Sequence, residues 1–269
     1  MSKRALRFAP PPEKNVVDNF PKFAFTLAET LITIGIIGIV AALTVPTIIN
    51  NIRHKSLEAG FKKSFNRHSE ALLNTKNALE VEQLHQIYTK LIINDEYPDG
   101  IYINQDEFIN AYYKQLKIVG NCNYSSSPRN YNNTAKLYMD IGANVRPYNL
   151  LSDGSCASVK INSSTIGVTV DTNGPKKGPN MAGHDIFVFH VDDTKDALVP
   201  VKMKKLYTDD EINNIIYNNA SVQEAVRAQA GFPCSIKSKQ QGNGIGCSWF
   251  ALNDINPETG ESGYWKNLP

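Results

Sequence analysis

The sequence lacks the short motifs that mark common enzymes. It contains no G-x-S-x-G elbow, no H-E-x-x-H pair, no phosphate-binding loop and no dinucleotide-binding fingerprint. Its five histidines are scattered, and only His184 and His190 lie close together. It also lacks a charge imbalance, since the formal net charge is only +2. We therefore predict that the protein is not an enzyme, and the composition gives no general reason to expect nucleic-acid binding.

Charge is missing altogether from one long stretch near the N-terminus. From Leu31 to Ile49 no side chain is ionisable. As a helix this stretch would be about 28 Å long, close to the roughly 30 Å of bilayer hydrocarbon. A buried helix of a soluble core would normally show some polar face over that length. The sequence therefore predicts a helix that spans a membrane.

The residues before this stretch do not have the order of an ordinary secretory signal peptide. Residues 1–24 are polar, contain four prolines and carry several lysines and arginines. A secretory signal has a shorter apolar core that ends at a small-residue cleavage site. Here the apolar stretch is longer and ends without such a site. We interpret residues 1–24 as a separate leader.

The junction between leader and span carries a family resemblance. The string AFTLAETLITIGIIGIVAALTVP, which starts at Ala24, resembles the N-terminus of type IV prepilins and of the pseudopilins of type II secretion systems. The resemblance implies cleavage by a prepilin peptidase between Ala24 and Phe25, followed by N-methylation of Phe25. It also places Glu29 and Pro46 at familiar family positions. Ala24 departs from the glycine that usually precedes the cut, and alanine is the smallest substitute.

Glu29 is a carboxylate among apolar residues, which is costly in lipid because an ionised group loses its hydration there. Its position in the first turn of the helix reduces that cost, since the helix dipole favours negative charge at this end. In the family, this glutamate pairs with the new α-amino group of a neighbouring subunit, which for this chain would be that of Phe25. The alternative is that Glu29 only sits at headgroup depth.

Pro46 removes one backbone donor and is expected to kink or loosen the helix near its outer end. Beyond it a helical period continues from Asn50 to about Leu73. Family pilins have such a long helix, with its lower half packed onto a sheet. The apolar side chains on one face are Leu57, Phe61, Phe65 and Leu72.

Basic residues flank both ends of the span, so the positive-inside rule alone does not orient the chain. The leader motif and the cysteines orient it instead. They place the N-terminus in the bacterial cytoplasm and the head in the periplasm or outside the cell. The expected location is the inner membrane, crossed once.

All four cysteines, Cys122, Cys156, Cys234 and Cys247, follow the apolar stretch. No pair has the C-x-x-C spacing of zinc sites or redox motifs. An even number on one side of a membrane suits disulfides in an oxidising compartment. Three connectivities are possible: if Cys234–Cys247 closes a short loop, Cys122–Cys156 remains. Four unrelated buried thiols are the alternative.

The rest of the sequence predicts mixed secondary structure. A short helix is expected at about 105–116, a surface loop at 125–133, and further helices at 209–217 and 222–230. Val-, Ile- and Phe-rich segments predict strands of an antiparallel sheet. These strands are expected at about 157–161, 165–170, 185–191 and 198–203.

The expected fold class is α+β and pilin-like, with a long N-terminal transmembrane helix that extends into a head containing an antiparallel β-sheet and short extra helices. The segments are a cleaved cytoplasmic leader at 1–24, a transmembrane assembly helix at 25–49, an exported helical extension at 50–95 and a globular head at 96–269.

The loop from Asp171 to Asp185 is the most motif-like part of the head. Oxygen side chains at Asp171, Asn173, Asn180 and Asp185 stand in a loop braced by glycine and proline, and such oxygens suit calcium. Similar strings occur in some pseudopilin-like proteins, and major pseudopilins have a calcium loop. The loop is not an EF-hand. The alternative, which the Asn-Gly pair favours, is a tight turn between strands braced by its own side chains.

Basic and aromatic residues in the head suggest a weaker possibility, contact with single-stranded nucleic acid. The alternative is that the lysines form a solvated face and that Trp265 packs onto the sheet. The residues concerned are Lys202, Lys204, Lys205, Lys237, Lys239, Tyr264 and Trp265.

The resemblance implies a structural subunit, a minor pilin or pseudopilin, of a type IV pilus or a type II secretion pseudopilus. Its expected partners are the prepilin peptidase, other pilin or pseudopilin subunits and membrane lipid. The alternatives are a membrane-anchored adhesive or calcium-dependent binding module, and a pilin for DNA uptake. No cofactor other than calcium is expected.

Overall fold

The computed structural model describes residues 26–84, 91–92, 95, 101–102, 105–137, 148–162, 165–192, 194–202 and 233–269. The leader and the junction of Ala24 with Phe25 lie outside these residues. So do the predicted helices at 209–217 and 222–230.

The longest element is α1, Leu27–Ala78, which is helical throughout. The chain divides into two compact units, Met1–Ile48 and Ile49–Pro269, and α1 contributes to both. Pro46 lies inside the helix and does not end it. The prediction that the helix continues beyond Pro46 is therefore confirmed.

The helix ends five residues beyond the predicted limit at Leu73, and its end has local causes. Glu80 has a φ of 51°, in the left-handed region that commonly terminates helices. The amides of Leu79 and Val81 donate to the carbonyls of Thr75 and Lys76, at 3.0 and 3.5 Å. These bonds satisfy carbonyls that have no partner within the helix.

After α1 the second unit contains short elements and one main sheet. Leu91–Ile92 (β1) pairs antiparallel with Ile101–Tyr102 (β2). Helix α2, Gln105–Leu116, has the predicted bounds and buries Phe108, Tyr112 and Leu116.

The main sheet has six strands in chain order, and each pairs antiparallel with its neighbour. The α+β prediction of a long apolar N-terminal helix followed by an antiparallel sheet is confirmed. All four predicted strands are present with end points that differ by at most three residues, and two short strands before them in this sheet were not predicted. The strands are β3 Ile118–Asn121, β4 Asn149–Leu151, β5 Cys156–Asn162, β6 Thr165–Asp171, β7 Ile186–Asp192 and β8 Ala197–Pro200.

The core of the second unit lies between one face of α1 and the sheet. Phe61 is fully buried, with its ring centroid 4.5 Å from that of Phe187, 5.8 Å from Phe189 and 5.5 Å from Trp265. Alternate residues of β7 face opposite ways, so Ile186 and its neighbour Val188 instead form a second apolar cluster with the C-terminal segment.

These contacts give α1 a direction along the sheet. Gly60 lies against Thr172, just beyond the end of β6, and a β-carbon there would be 3.4 Å from the Thr172 hydroxyl oxygen. Farther along α1, Lys76 Nζ is 2.8 Å from the Asp196 carboxylate, in the turn between β7 and β8. The 171–185 loop therefore lies at the end of the sheet where α1 first packs onto it.

Candidate functional site

The first turn of α1 is closed by reciprocal hydrogen bonds between Thr26 and Glu29. The Thr26 amide and hydroxyl donate to Glu29 Oε2, at 2.9 and 2.8 Å. The Glu29 amide donates back to the Thr26 hydroxyl oxygen at 3.2 Å. This is the capping box, a threonine followed three residues later by glutamate, and it holds the Glu29 side chain at the helix N-terminus. The T-x-x-E spacing is visible in the sequence, although Thr26 was not among the predicted site residues.

The part of α1 after this cap has an apolar, exposed surface. The helix is long and apolar enough to cross a membrane once, and none of its most apolar window is buried. Ile37, for example, is 67% exposed. Gly35 and Gly38 have open space where a side chain would stand. An apolar surface of this extent on a soluble monomer is unusual and marks an interaction with membrane or protein.

In the 171–185 loop, both oxygens of Asp171 are already hydrogen-bonded. The amides of Asn173 and Gly174 donate to its Oδ1 at 3.2 and 2.8 Å. The Tyr124 hydroxyl donates to its Oδ2 at 2.7 Å. Tyr124 was not among the predicted site residues, because nothing in the sequence links residues so far apart.

Asp185 holds the other end of the loop in the same way. The amide of Asn180 donates to its Oδ2 and that of Met181 to its Oδ1, both at 2.8 Å. The side-chain amides of Asn173 and Asn180 donate to the carbonyls of Gly178 and Pro175, at 2.9 and 3.0 Å. All four predicted calcium ligands therefore brace the loop itself, as a side-chain-braced turn requires.

Both carboxyls are fully buried, and this changes their acidity. Burial, followed by the nearby charge of Asp171, raises the pKa of Asp185 to about 7. Burial also raises the pKa of Asp171, although the hydrogen bonds from Tyr124 and the loop amides oppose this. The two groups together therefore hold less negative charge near neutral pH than two exposed aspartates would.

The loop also contains side-chain oxygens that its own hydrogen bonds leave unused. Its buried oxygens without a hydrogen-bond partner are Thr172 Oγ1, Asn173 Oδ1 and Asn180 Oδ1. Calcium takes six to eight oxygens, and carboxylates, backbone carbonyls and water all count among them. Within the described residues, no group of three His, Cys, Asp or Glu side chains is arranged to hold a metal. The loop is therefore braced by its own side chains, and calcium binding by it stays a prediction.

Two disulfides, Cys122–Cys156 and Cys234–Cys247, hold the second unit together. The first joins the end of β3 to the start of β5, and the second closes a short loop before α3, Ser248–Asn253. The expectation of disulfides after the apolar stretch is confirmed, and the structure selects one of the three connectivities.

The aromatic residues considered for nucleic-acid contact are not available for stacking. Tyr264 and Trp265 are 1% and 3% exposed. The Tyr264 hydroxyl donates to the Gly183 carbonyl at 2.5 Å, and the Trp265 indole donates to the Ala251 carbonyl at 3.0 Å. The interpretation in which Trp265 packs onto the sheet is therefore confirmed, and Tyr264 is buried in the same core. Lys202 lies over the ring of Trp249, and Lys204 and Lys205 are outside the described residues.

Comparisons of this chain with protein-family models, with curated proteins and with solved structures found no match. The candidate site is therefore argued from the chain's own residues: the exposed apolar helix and the acidic side chain at its tip.

Proposed function

We propose that this chain is a structural subunit, minor or pseudopilin-like, of a type IV pilus or a type II secretion pseudopilus. A prepilin peptidase cuts between Ala24 and Phe25, Phe25 is N-methylated, and the apolar part of α1 spans the inner membrane. In a filament the same helix packs against its copies, with the head outside the cytoplasm.

The observation that carries the proposal is the apolar part of α1, which is exposed in the single chain and continues as a helix into a disulfide-bonded head. A helix used only as an anchor needs apolar residues of sufficient length and nothing more. Here an acidic residue stands at its tip, where it is costly in lipid unless it is paired.

Glu29 has the role of an assembly residue in this proposal. Among the described residues, its carboxylate accepts hydrogen bonds from the neutral donors of Thr26. The methylated amino group of Phe25 from a neighbouring subunit supplies the positive charge that Thr26 does not. Charge-assisted hydrogen bonds are roughly twice as strong as neutral ones, so the pair would fix the register of neighbouring helices.

The capping box allows an experiment that separates charge from helix capping. Glu29→Gln removes the charge but keeps an oxygen that accepts the Thr26 bonds, because glutamine serves equally in a capping box. The matched control is Glu58→Gln, the same chemical change on the same helix at a surface pair with Lys62. Both variants are expressed with the assembly machinery, and membrane insertion and filament incorporation are measured separately.

We expect both variants to insert into the membrane. Incorporation of Glu29→Gln should fall at least tenfold. A tenfold loss corresponds to about 1.4 kcal/mol, which is a modest value for a hydrogen bond to a charged group. Incorporation of Glu58→Gln should stay at the wild-type level. Normal incorporation of Glu29→Gln would contradict the assembly role of Glu29. Insertion of the wild-type chain without any incorporation into filaments would instead identify a membrane-anchored binding module.

A further inference from the structure

Two groups of exposed cations lie at the end of the second unit where α1 first packs onto the sheet. The first group, Arg53 and Lys55, is on α1 itself, just before the first buried helix residue, Leu57. The second group, Lys176 and Lys177, is exposed in the 171–185 loop.

Contacts within the unit bring the loop to this part of the helix. Thr172, near the start of the loop, lies against Gly60 of α1. Phe187, two residues after the end of the loop, has its ring against that of Phe61 of α1. Burial and, to a smaller extent, the charges of Arg53 and His54 lower the pKa of His184, in the same loop, to about 4.

The acidic side chains nearby do not neutralise these cations. None of the salt bridges among the described residues includes Arg53, Lys55, Lys176 or Lys177. The acids of the loop, Asp171 and Asp185, are fully buried. Among the described residues, the acids that form salt bridges with this part of α1 are Glu58, which pairs with Lys62, and Asp153, which pairs with Lys63 and Arg67.

The distance along α1 matches the depth of lipid headgroups. At about 1.5 Å per residue, Arg53 lies about 6 Å and Lys55 about 9 Å beyond Ile49, the last residue of the uncharged stretch. The headgroup layer adds roughly 5 to 8 Å to each side of the hydrocarbon core. Long basic side chains reach a few ångströms farther toward such a layer.

We propose that Arg53, Lys55, Lys176 and Lys177 form a basic collar that contacts anionic lipid headgroups on the outer side of the membrane. This inference rests on the proposed membrane insertion of α1 and goes beyond the assembly role of Glu29. The collar holds the head against an anionic bilayer before the subunit leaves it, and the 171–185 loop serves to present two of its four cations.

The test uses the full chain in nanodiscs of phosphatidylcholine alone or of equal parts phosphatidylcholine and phosphatidylglycerol. Lysines are acetylated briefly with a water-soluble reagent, and the rate at each lysine is read by mass spectrometry. We expect the three lysines of the collar to react about fivefold more slowly in the anionic nanodiscs, namely Lys55, Lys176 and Lys177. This ratio corresponds to the attraction of about 1 kcal/mol between one basic side chain and an anionic membrane surface. High salt should abolish the difference.

Exposed lysines away from the collar are internal controls, namely Lys114 in α2 and Lys195 in the turn between β7 and β8, and their rates should not depend on the lipid. A Lys176→Gln/Lys177→Gln variant should weaken the protection of Lys55, whereas Lys114→Gln/Lys195→Gln should leave it unchanged.

Equal rates in the two lipids would overturn the collar. Protection that occurs only in assembled filaments would assign these cations to a neighbouring subunit and would also overturn it. Extraction of the chain from membranes at high pH checks insertion separately: a chain that is released refutes the proposed function, whereas an inserted chain with unprotected lysines refutes only the collar.

Discussion

The apolar part of α1 and the second unit differ in where their apolar side chains are placed. In the second unit, α1 buries one face, including Leu57, Phe61 and Leu72, against strands of the same chain. In the first unit, α1 is apolar on all sides, and residues such as Leu31 and Ile37 are more than 60% exposed. The second unit supplies its own core, whereas no residue among the described part of the first unit, 26–48, is buried.

The stability of the two parts therefore depends on different surroundings. Burial of apolar surface stabilises a fold at about 25 cal/mol per Å², so the second unit gains from contacts within the chain. The first unit can gain only from lipid or from another chain. Substitutions in the two parts should therefore affect different measurements.

The largest expected effect is at the centre of the core. Phe61→Ala should destabilise the second unit by about 4 kcal/mol, because it leaves a cavity between Phe187, Phe189 and Trp265. Ile37→Ala, in the exposed part of the same helix, should change it by less than about 0.5 kcal/mol. Unfolding in detergent, followed by near-UV circular dichroism, measures both; equal effects would break the comparison.

The disulfides should contribute next, and only to the second unit. Their sequence separations are 34 residues for Cys122–Cys156 and 13 for Cys234–Cys247. Chain entropy predicts losses of about 4 and about 3 kcal/mol on removal. The double alanine variants of each pair, compared by denaturant unfolding, should therefore differ in this order. Filament or membrane defects without loss of stability would contradict the assignment of both bonds to the fold.

A substitution in the 171–185 loop tests how tightly this loop is packed against the rest of the head. Gly174 has a φ of 77°, and a β-carbon there would clash with the Gly154 carbonyl. Gly174→Ala should cost at least 1 to 2 kcal/mol from the backbone conformation alone. Gly120→Ala is the control, since that glycine has ordinary φ and open space around it. Similar melting temperatures for the two variants would show that the loop yields easily.

The same loop gives a metal test. If its side chains serve as a brace, chelation of calcium should shift the melting temperature of the head by less than about 1 °C. A rise of several degrees on addition of millimolar calcium would show instead that the loop rearranges to bind the ion.

The stability of the second unit should also depend on pH. His68 is buried with its Nδ1 2.7 Å from the Tyr112 hydroxyl, and burial lowers its pKa to about 3. A folded-state pKa below the unfolded value of about 6.5 means that stability is present above pH 6.5 and is lost as pH falls toward 3. His68 should therefore cost the fold about 2 kcal/mol at pH 5.

Other groups also titrate in this range, so a variant is needed to isolate His68. His184 acts in the same direction, because burial lowers its pKa to about 4. Asp185, with a raised pKa, acts oppositely, since its contribution is present at low pH and is lost as pH rises toward 7. The stability difference between wild type and His68→Gln should shrink by about 2 kcal/mol from pH 7 to pH 5. A constant difference would contradict a neutral His68.

The sequence predicts those elements whose pattern is long enough to be distinct. The uncharged stretch and the Val-rich strands meet that condition, and the bounds of α2 were predicted correctly. Strands β3 and β4 did not, because each has only three or four residues, with asparagine or glycine among them.

The missed features of the candidate site depend on contacts between distant parts of the chain. The bond from Tyr124 to Asp171 joins residues 47 apart, and the bond from the Tyr264 hydroxyl to the Gly183 carbonyl joins residues 81 apart. No local pattern reveals such a contact. The brace of the loop by Asp185, by contrast, is local and was one of the two interpretations that the sequence allowed.

The most direct test of the account is the N-terminus of the native protein, purified from cells that contain the peptidase and read by mass spectrometry. We predict a chain that begins at Phe25 and carries a methyl group on its α-amino nitrogen. A chain that still begins at Met1 in such cells, or one cut at the far end of the apolar stretch, would contradict the account.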